Sequence, residues 1–118
     1  MRKPLQALGR LKPGQMNRTE AAYDEYLDGL RHHGEILWYA FEAITLKLAH
    51  DCRLTVDFAV MAKDGALELH DVKGSPHVFS DDAKVKMKVA ADKFPFAIKV
   101  AYPLPKKDGG GWNVVVIK

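Results

Sequence analysis

Asp57, Asp71 and Lys73 are the residues whose types and spacing could do chemistry; the last two lie in the stretch LHDVKG at residues 69–74. That stretch reads as the end of a β-strand, yet it sets an acid and a base two residues apart among apolar neighbours. A local ion pair at a strand end is the plain explanation. A metal-dependent phosphodiesterase site is the sharper one. Mg²⁺ takes oxygen ligands, often one or two carboxylates completed by water and substrate phosphate. Such a cation polarises the phosphate and lowers the pKa of water. A lysine beside it can orient the attacking water or offset charge developing on the phosphate.

Whether the two carboxylates meet depends on the turn KDG between LTVDFAVMA and ALELHDVK. A two-residue loop of Asp64 and Gly65 puts Lys63 opposite Ala66, Ala59 opposite His70 and Asp57 opposite Val72. A three-residue loop of Lys63, Asp64 and Gly65, with Gly65 left-handed in a bulge, shifts every pair by one. Met61 then meets Leu67, Ala59 meets Leu69 and Asp57 meets Asp71. One face becomes apolar along both strands and ends in two carboxylates. Side chains alternate faces, so a one-residue slip destroys this match, and the hydrophobic pattern selects the three-residue loop. Lys73 falls on the same face as Asp71. Carboxylates directly opposite one another repel, and a divalent cation is the natural remedy.

The elements that position these groups follow from local signals. NRTEAAYDEYLDGLRHHG predicts a helix, with Asn17 as cap, Glu20 as its capping-box partner and Gly34 as its stop. Tyr23, Tyr26, Leu27 and Leu30 form its apolar stripe. Glu20 lies in line with Tyr23 and Leu27, so it extends that stripe and is a candidate for the site as well as for the cap. ILWYAFEAITLKLA predicts one or two strands, with Glu42 as a weaker spare ligand; LTVDFAVMA and ALELHDVK predict two more. SDDAKVKMKVAADKF predicts a second helix, with Ser80 as cap, Asp81 and Asp82 at its positive end, and Ala83, Met87, Ala90, Ala91 and Phe94 buried. FAIKVAYPL and WNVVVIK are the last strands, separated by PKKDGGG. Helix, strands, helix, strands predicts an α/β or α+β domain with a mixed sheet flanked by helices.

Composition bounds the rest. A chain of 118 residues accommodates one domain. Residues 1–16, with Arg2, Lys3, Arg10 and Lys12 among glycines and prolines, read as a flexible basic arm, and 17–118 as the domain. Lys and Arg exceed Asp and Glu by 18 to 15, which permits a polyanionic partner without requiring one. The lone Cys52 allows no intramolecular disulfide and has no zinc-ligand spacing, which fits a reducing cytoplasm. The opening MRKPLQALGRLKPGQ lacks the continuous apolar core of a signal peptide. No run reaches the ~18 apolar residues of a membrane span.

Asp57 followed by Asp71-Val72-Lys73 on the next strand resembles the PD-(D/E)xK nuclease signature, and Glu20 resembles the acidic residue on that fold's first helix. More narrowly, MNRTEAAYDEYL, GEILWYAFEAITLKLA, VDF, HDVKG, DDAKVKMKVAA and KKDGGGW resemble a small phage and prophage endonuclease family, similar to phage Holliday-junction resolvases and VRR-type nucleases. The resemblance covers residues 16–118. It implies a restriction-endonuclease-like core and a Mg²⁺ cofactor, with Mn²⁺ as substitute. The metal would be held by Asp57, Asp71, the Val72 carbonyl and Glu20, with Lys73 orienting the attacking water. The implied substrate is DNA, branched and flap forms included, and the implied product carries a 5′-phosphate. A junction resolvase needs two active sites, hence a homodimer. The implied setting is the cytoplasm of a bacterial host. This chain departs from the family at Val56, where a proline is usual, at Asp71, where Glu is more frequent, and at SPHVFS after Gly74.

Lys84 and Lys88, four apart on one face of the second helix, are candidates for phosphate contact, as are Lys106 and Lys107 in the glycine-rich loop. His32 and His33 suit a helix end. His50, His70 and His77 have no metal spacing, and Trp38, Tyr39 and Trp112 read as core. Two further readings stand beside the nuclease. One is a nucleic-acid-binding phage accessory protein that does not cut. The other is a protein-binding accessory in which the acids only form ion pairs. A pure binder has no reason to aim carboxylates at phosphate.

Overall fold

A computed structural model describes residues 14–118. Helix α1 spans Arg18–His32. Its capping box is closed in both directions: Glu20 N–H donates to Asn17 Oδ1 at 2.8 Å, and Asn17 N–H donates to Glu20 Oε1 at 2.9 Å. The chain leaves the helix through Gly34 at φ 75°. Tyr23 and Leu27 are fully buried, whereas Tyr26 is 37% exposed. Residues 1–13 of the basic arm lie outside the described residues; Met16 packs against the core beside α1.

Strands β1 (Ile36–Phe41), β2 (Thr45–Ala49), β3 (Cys52–Thr55), β4 (Phe58–Ala62) and β5 (Leu67–Val72) come next. Helix α2 (Asp81–Lys93) connects β5 to β6 (Ala97–Pro103), and β7 (Trp112–Val116) follows. Five strands form one mixed sheet in the order β1-β4-β5-β6-β7, in which only β5 and β6 pair in parallel. β2 and β3 form a separate antiparallel ribbon. Among the described residues this is an α+β arrangement, and no helix is long and apolar enough to cross a membrane.

The sheet is covered on both faces. On one, Tyr23 and Leu27 of α1 meet Phe58, Val60, Val72 and Ala101. On the other, Met87 and Ala90 of α2 meet Ala59, Leu69, Ile98 and Val100, with Leu46 and Leu48 of the ribbon closing the same core. Ser80 caps α2 by accepting from Ala83 N–H at 3.2 Å. Trp38, expected in the core, is 42% exposed, because β1 is an edge strand whose register shifts between Ile36 and Trp38.

The hairpin adopts the three-residue register. Met61 pairs with Leu67 and Ala59 with Leu69. Ala62 N–H donates to Ala66 O at 2.8 Å, and Gly65 sits at φ 88°, a conformation that disfavours any side chain. LTVDFAVMA, however, is two strands rather than one. The β4–β5 ladder ends at Phe58 and His70. Beyond it the Asp57 carboxylate, not a backbone carbonyl, takes the Val72 N–H. The chain bends at that residue, and β3 departs into the ribbon.

Candidate active site

The end of the β4–β5 pair nearest α2 carries the expected acids. Asp57 sits in the bend before β4, and its Oδ2 accepts the Val72 N–H at 2.7 Å. Asp71, near the end of β5, is 7% exposed. Lys73 lies just past that end, anchored by its own N–H to Ala101 O at 3.0 Å. Its Nζ is 3.0 Å from Asp71 Oδ2. The contact is off the hydrogen-bonding direction, so this buried oxygen has no hydrogen-bond partner. We read it as a charge contact that leaves a lone pair open.

Backbone geometry adds an oxygen. Lys73 N–H points to β6, and the trans peptide turns the Val72 carbonyl the opposite way, toward the Asp57 side of the strand. The Val72 carbonyl therefore lies on the Asp57 side of β5, and Asp57 and Asp71 share one cleft; hard oxygens of these kinds are donors that Mg²⁺ or Mn²⁺ accepts. Among the described residues no three Asp, Glu, His or Cys side chains converge as a metal cage. Water and phosphate would have to complete the shell.

The electrostatics points the same way. Burial, reinforced by the neighbouring Asp71 carboxylate, pushes Asp57 up to about 8, against the opposing Val72 N–H; the charge of Glu20 adds to the rise. Buried beside Asp71, Asp57 ionises at a cost that added positive charge would reduce. Glu20 is thus within electrostatic reach of Asp57, while its Oε1 is held by the Asn17 N–H of the capping box.

A cleft of about 430 Å³ opens onto these groups, with Asp57, Asp71, Lys73, Ser80, Asp82 and Lys86 on its walls. Of the lysines singled out on α2, Lys84 places its Nζ 5.6 Å from the Phe79 ring centre, and Lys73 lies 5.9 Å from the same ring. Lys88 is exposed and not on the cleft wall; Lys86 takes that place. Lys106 and Lys107 form an exposed 3₁₀ turn beyond β6. Because β6 runs parallel to β5, that turn lies beyond the same end of the strands as Lys73. Glu42 is turned to Gly14, whose N–H it accepts at 3.0 Å. Tyr102 was not anticipated. Burial raises its phenol, Lys73 opposes and Asp71 adds to the rise, so the hydroxyl is in electrostatic range of the site.

A second polar cluster, also unanticipated, lies on the α1 face. Tyr23 Oη is 2.6 Å from His70 Nδ1, His70 Nε2 is 2.9 Å from Glu68 Oε1, and Lys99 Nζ is 2.9 Å from the same oxygen. These distances fit a neutral imidazole that accepts from Tyr23 and donates to Glu68. Burial lowers His70 accordingly. Burial alone would raise Glu68, but the His70 and Lys99 hydrogen bonds outweigh it and hold the carboxylate low. Glu68 and His70 alternate with Asp71 and point to the opposite face, a pattern legible in sequence. Tyr23 and Lys99 come from distant segments.

In comparisons with known proteins, no family model, no curated protein and no solved structure matches this chain.

Proposed function

We propose that this protein is a divalent-metal-dependent DNA endonuclease that hydrolyses phosphodiester bonds. The observation that carries the reading is the placement of Asp57 beside Asp71 and Lys73 on one cleft, one carboxylate pushed up and the other with a buried oxygen in charge contact with Lys73 that accepts no hydrogen bond. Asp57, Asp71 and the Val72 carbonyl would hold Mg²⁺ or Mn²⁺, with Glu20 behind them. When bound, the ion supplies compensating positive charge and Lewis acidity at the phosphate.

The protein's own groups have distinct tasks. Val72 N–H fixes one Asp57 oxygen and so orients the other. Lys73, held by its backbone at Ala101 and by charge at Asp71, presents an ammonium that can position a water in line with phosphorus. Attack forms the new P–O bond, the bond to the 3′-oxygen breaks, and the products are a 5′-phosphate and a 3′-hydroxyl. The element order, with a hairpin of β4 and β5 followed by a helix and a parallel β6, supports the restriction-endonuclease-like reading. Lys84, Lys88, Lys106 and Lys107 are proposed to meet the DNA backbone. A substrate with two-fold symmetry, such as a four-way junction, would call for a homodimer.

The test is a cleavage assay with purified protein on a four-way junction, a flap, a duplex and a single strand, in Mg²⁺, Mn²⁺ or EDTA. Cutting by the wild type that vanishes in EDTA and in Asp57→Ala and Lys73→Ala is the expected result. Metal-independent binding that is equal in all three proteins, without cutting, would instead favour a nucleic-acid-binding accessory protein.

A further inference from the structure

The β2–β3 ribbon carries a charge arrangement that the fold alone does not explain. Lys47 and Arg53 are direct cross-strand partners with both side chains exposed. Like charges directly opposite one another destabilise a ribbon. Among the described residues neither forms an ion pair. A third cation is close, since Lys86 Nζ approaches Arg53 O at 3.4 Å. The next outward pair toward the site is Thr45 and Thr55, whose hydroxyls are 2.7 Å apart. Thr55 stands on the cleft wall, two residues before Asp57.

The ribbon is also held in place. Leu46 and Leu48 point inward and are buried against the α2 face of the sheet. Lys93 Nζ donates to Leu48 O at 2.8 Å, so α2 grips β2 as Lys86 reaches β3. Its outward face therefore presents hydroxyls at the cleft, then paired cations one strand step further out, about 7 Å away. Hydroxyls and cations in succession are donors suited to successive backbone phosphates of a nucleic acid strand.

We infer that the outward face of the β2–β3 ribbon is the track along which a nucleic acid strand leaves the Asp57–Asp71 cleft, with Thr45, Thr55 and the neighbouring Lys86 of α2 meeting the phosphate nearest the site and Lys47 and Arg53 the next. The inference rests on the nuclease reading for its direction, but its binding prediction does not require cutting. The repulsion between Lys47 and Arg53 is relieved when phosphate lies between them.

The experiment compares wild type, Lys47→Ala/Arg53→Ala and Lys63→Ala. The last removes a cation at the far turn of the β4–β5 hairpin. Fluorescence anisotropy with labelled single-stranded and duplex DNA in EDTA, repeated over a salt series, gives affinity and its salt dependence. Cleavage in Mg²⁺ and thermal melting are measured on the same proteins. The double variant should bind about tenfold or more weakly, with a log–log salt slope shallower by about 2, while Lys63→Ala barely moves it. Its Tm should be unchanged or higher, because a like-charge pair has gone. Wild-type cutting with an unmoved slope in the double variant overturns the track and leaves the nuclease standing. No wild-type cutting, with the slope still shallower in the double variant, sinks the nuclease and keeps the track. A lower Tm in the double variant, with an unmoved slope, makes the pair structural and overturns the track.

Discussion

Asp57 Oδ2 accepts the backbone N–H of Val72 at 2.7 Å, so a side chain completes a ladder that the backbone abandons. This one contact ends β4, bends the chain toward the ribbon and sets the Asp57 carboxylate beside Asp71. Burial beside Asp71 makes an ionised Asp57 costly, and the Val72 N–H offsets only part of that cost. Asp57 rises from 3.8 to about 8 chiefly through burial. A carboxyl raised in the folded state favours folding while it is protonated. That contribution is fully present below about 3.8 and is lost as pH climbs through about 8. Metal-free protein should therefore lose stability between pH 5 and 8.5 at this site, and millimolar Mg²⁺ should restore part of it at pH 8 by binding the folded state. Thermal melting of wild type and Asp57→Asn across that range checks it. The variant keeps an oxygen for Val72 and should melt on the order of 5 °C higher than wild type at pH 8 without metal. It should gain little from Mg²⁺. A wild-type Tm that ignores both pH and Mg²⁺ in this window would contradict the account.

Lys73→Ala should separate chemistry from binding. The ammonium touches Asp71 and faces the cleft, but it is one cation among several available to a DNA backbone. Removing it should lower the cleavage rate about 100-fold or more. DNA affinity in EDTA should change less than threefold, an estimate that treats one phosphate contact as a minor share of the whole. Single-turnover cleavage beside anisotropy reads the two separately. A large loss of affinity with an unchanged single-turnover rate would move Lys73 from the reaction to the backbone contacts.

Tyr23→Phe probes the opposite face. The variant deletes the hydroxyl 2.6 Å from His70 Nδ1 and leaves a buried imidazole nitrogen unsatisfied. That costs about 1–3 kcal/mol. Chemical denaturation at pH 7.5 should show the loss with an unchanged m-value. Acid should weaken the same cluster. His70 is lowered by burial, so its contribution is present above 6.5 and fades as pH falls toward its folded value. A Tyr23→Phe protein as stable as wild type would mean that water satisfies the imidazole.

The sequence was most informative where its period matched one element. Alternation of Ala59 and Met61 against Leu67 and Leu69 selected the loop length and brought Asp57 to Asp71. Asn17 with Glu20, and Ser80 with the Met87 and Ala90 stripe, gave both helices. The break at Asp57 was not legible, because it depends on a hydrogen bond to a strand fifteen residues away. On α2 it is Lys86, next to the buried Met87, rather than Lys84 or Lys88, that lines the cleft, because the packing of α2 on the sheet and ribbon sets which side of it meets the site. The Tyr23–His70–Lys99 cluster joins three distant segments, so no local pattern announces it.

Glu20 offers the test in which cap and site can be told apart. Its Oε1 serves the Asn17 N–H, while its charge raises Asp57. Gln at this position also completes a capping box, so Glu20→Gln removes charge and keeps the cap. The variant should melt within a few degrees of wild type in metal-free buffer at pH 7.5, an expectation for a helix cap kept intact. If Glu20 backs the metal-binding carboxylates, the same variant needs more Mg²⁺ for half-maximal cleavage, by about tenfold for a group supporting the ligands. Glu20→Ala loses both, and its Tm should fall by the equivalent of about 1 kcal/mol. Mg²⁺ titrations of cleavage with parallel melting of both variants give the answer. A Glu20→Gln protein with the wild-type Mg²⁺ requirement would confine Glu20 to the cap and reduce the acidic site to Asp57 and Asp71.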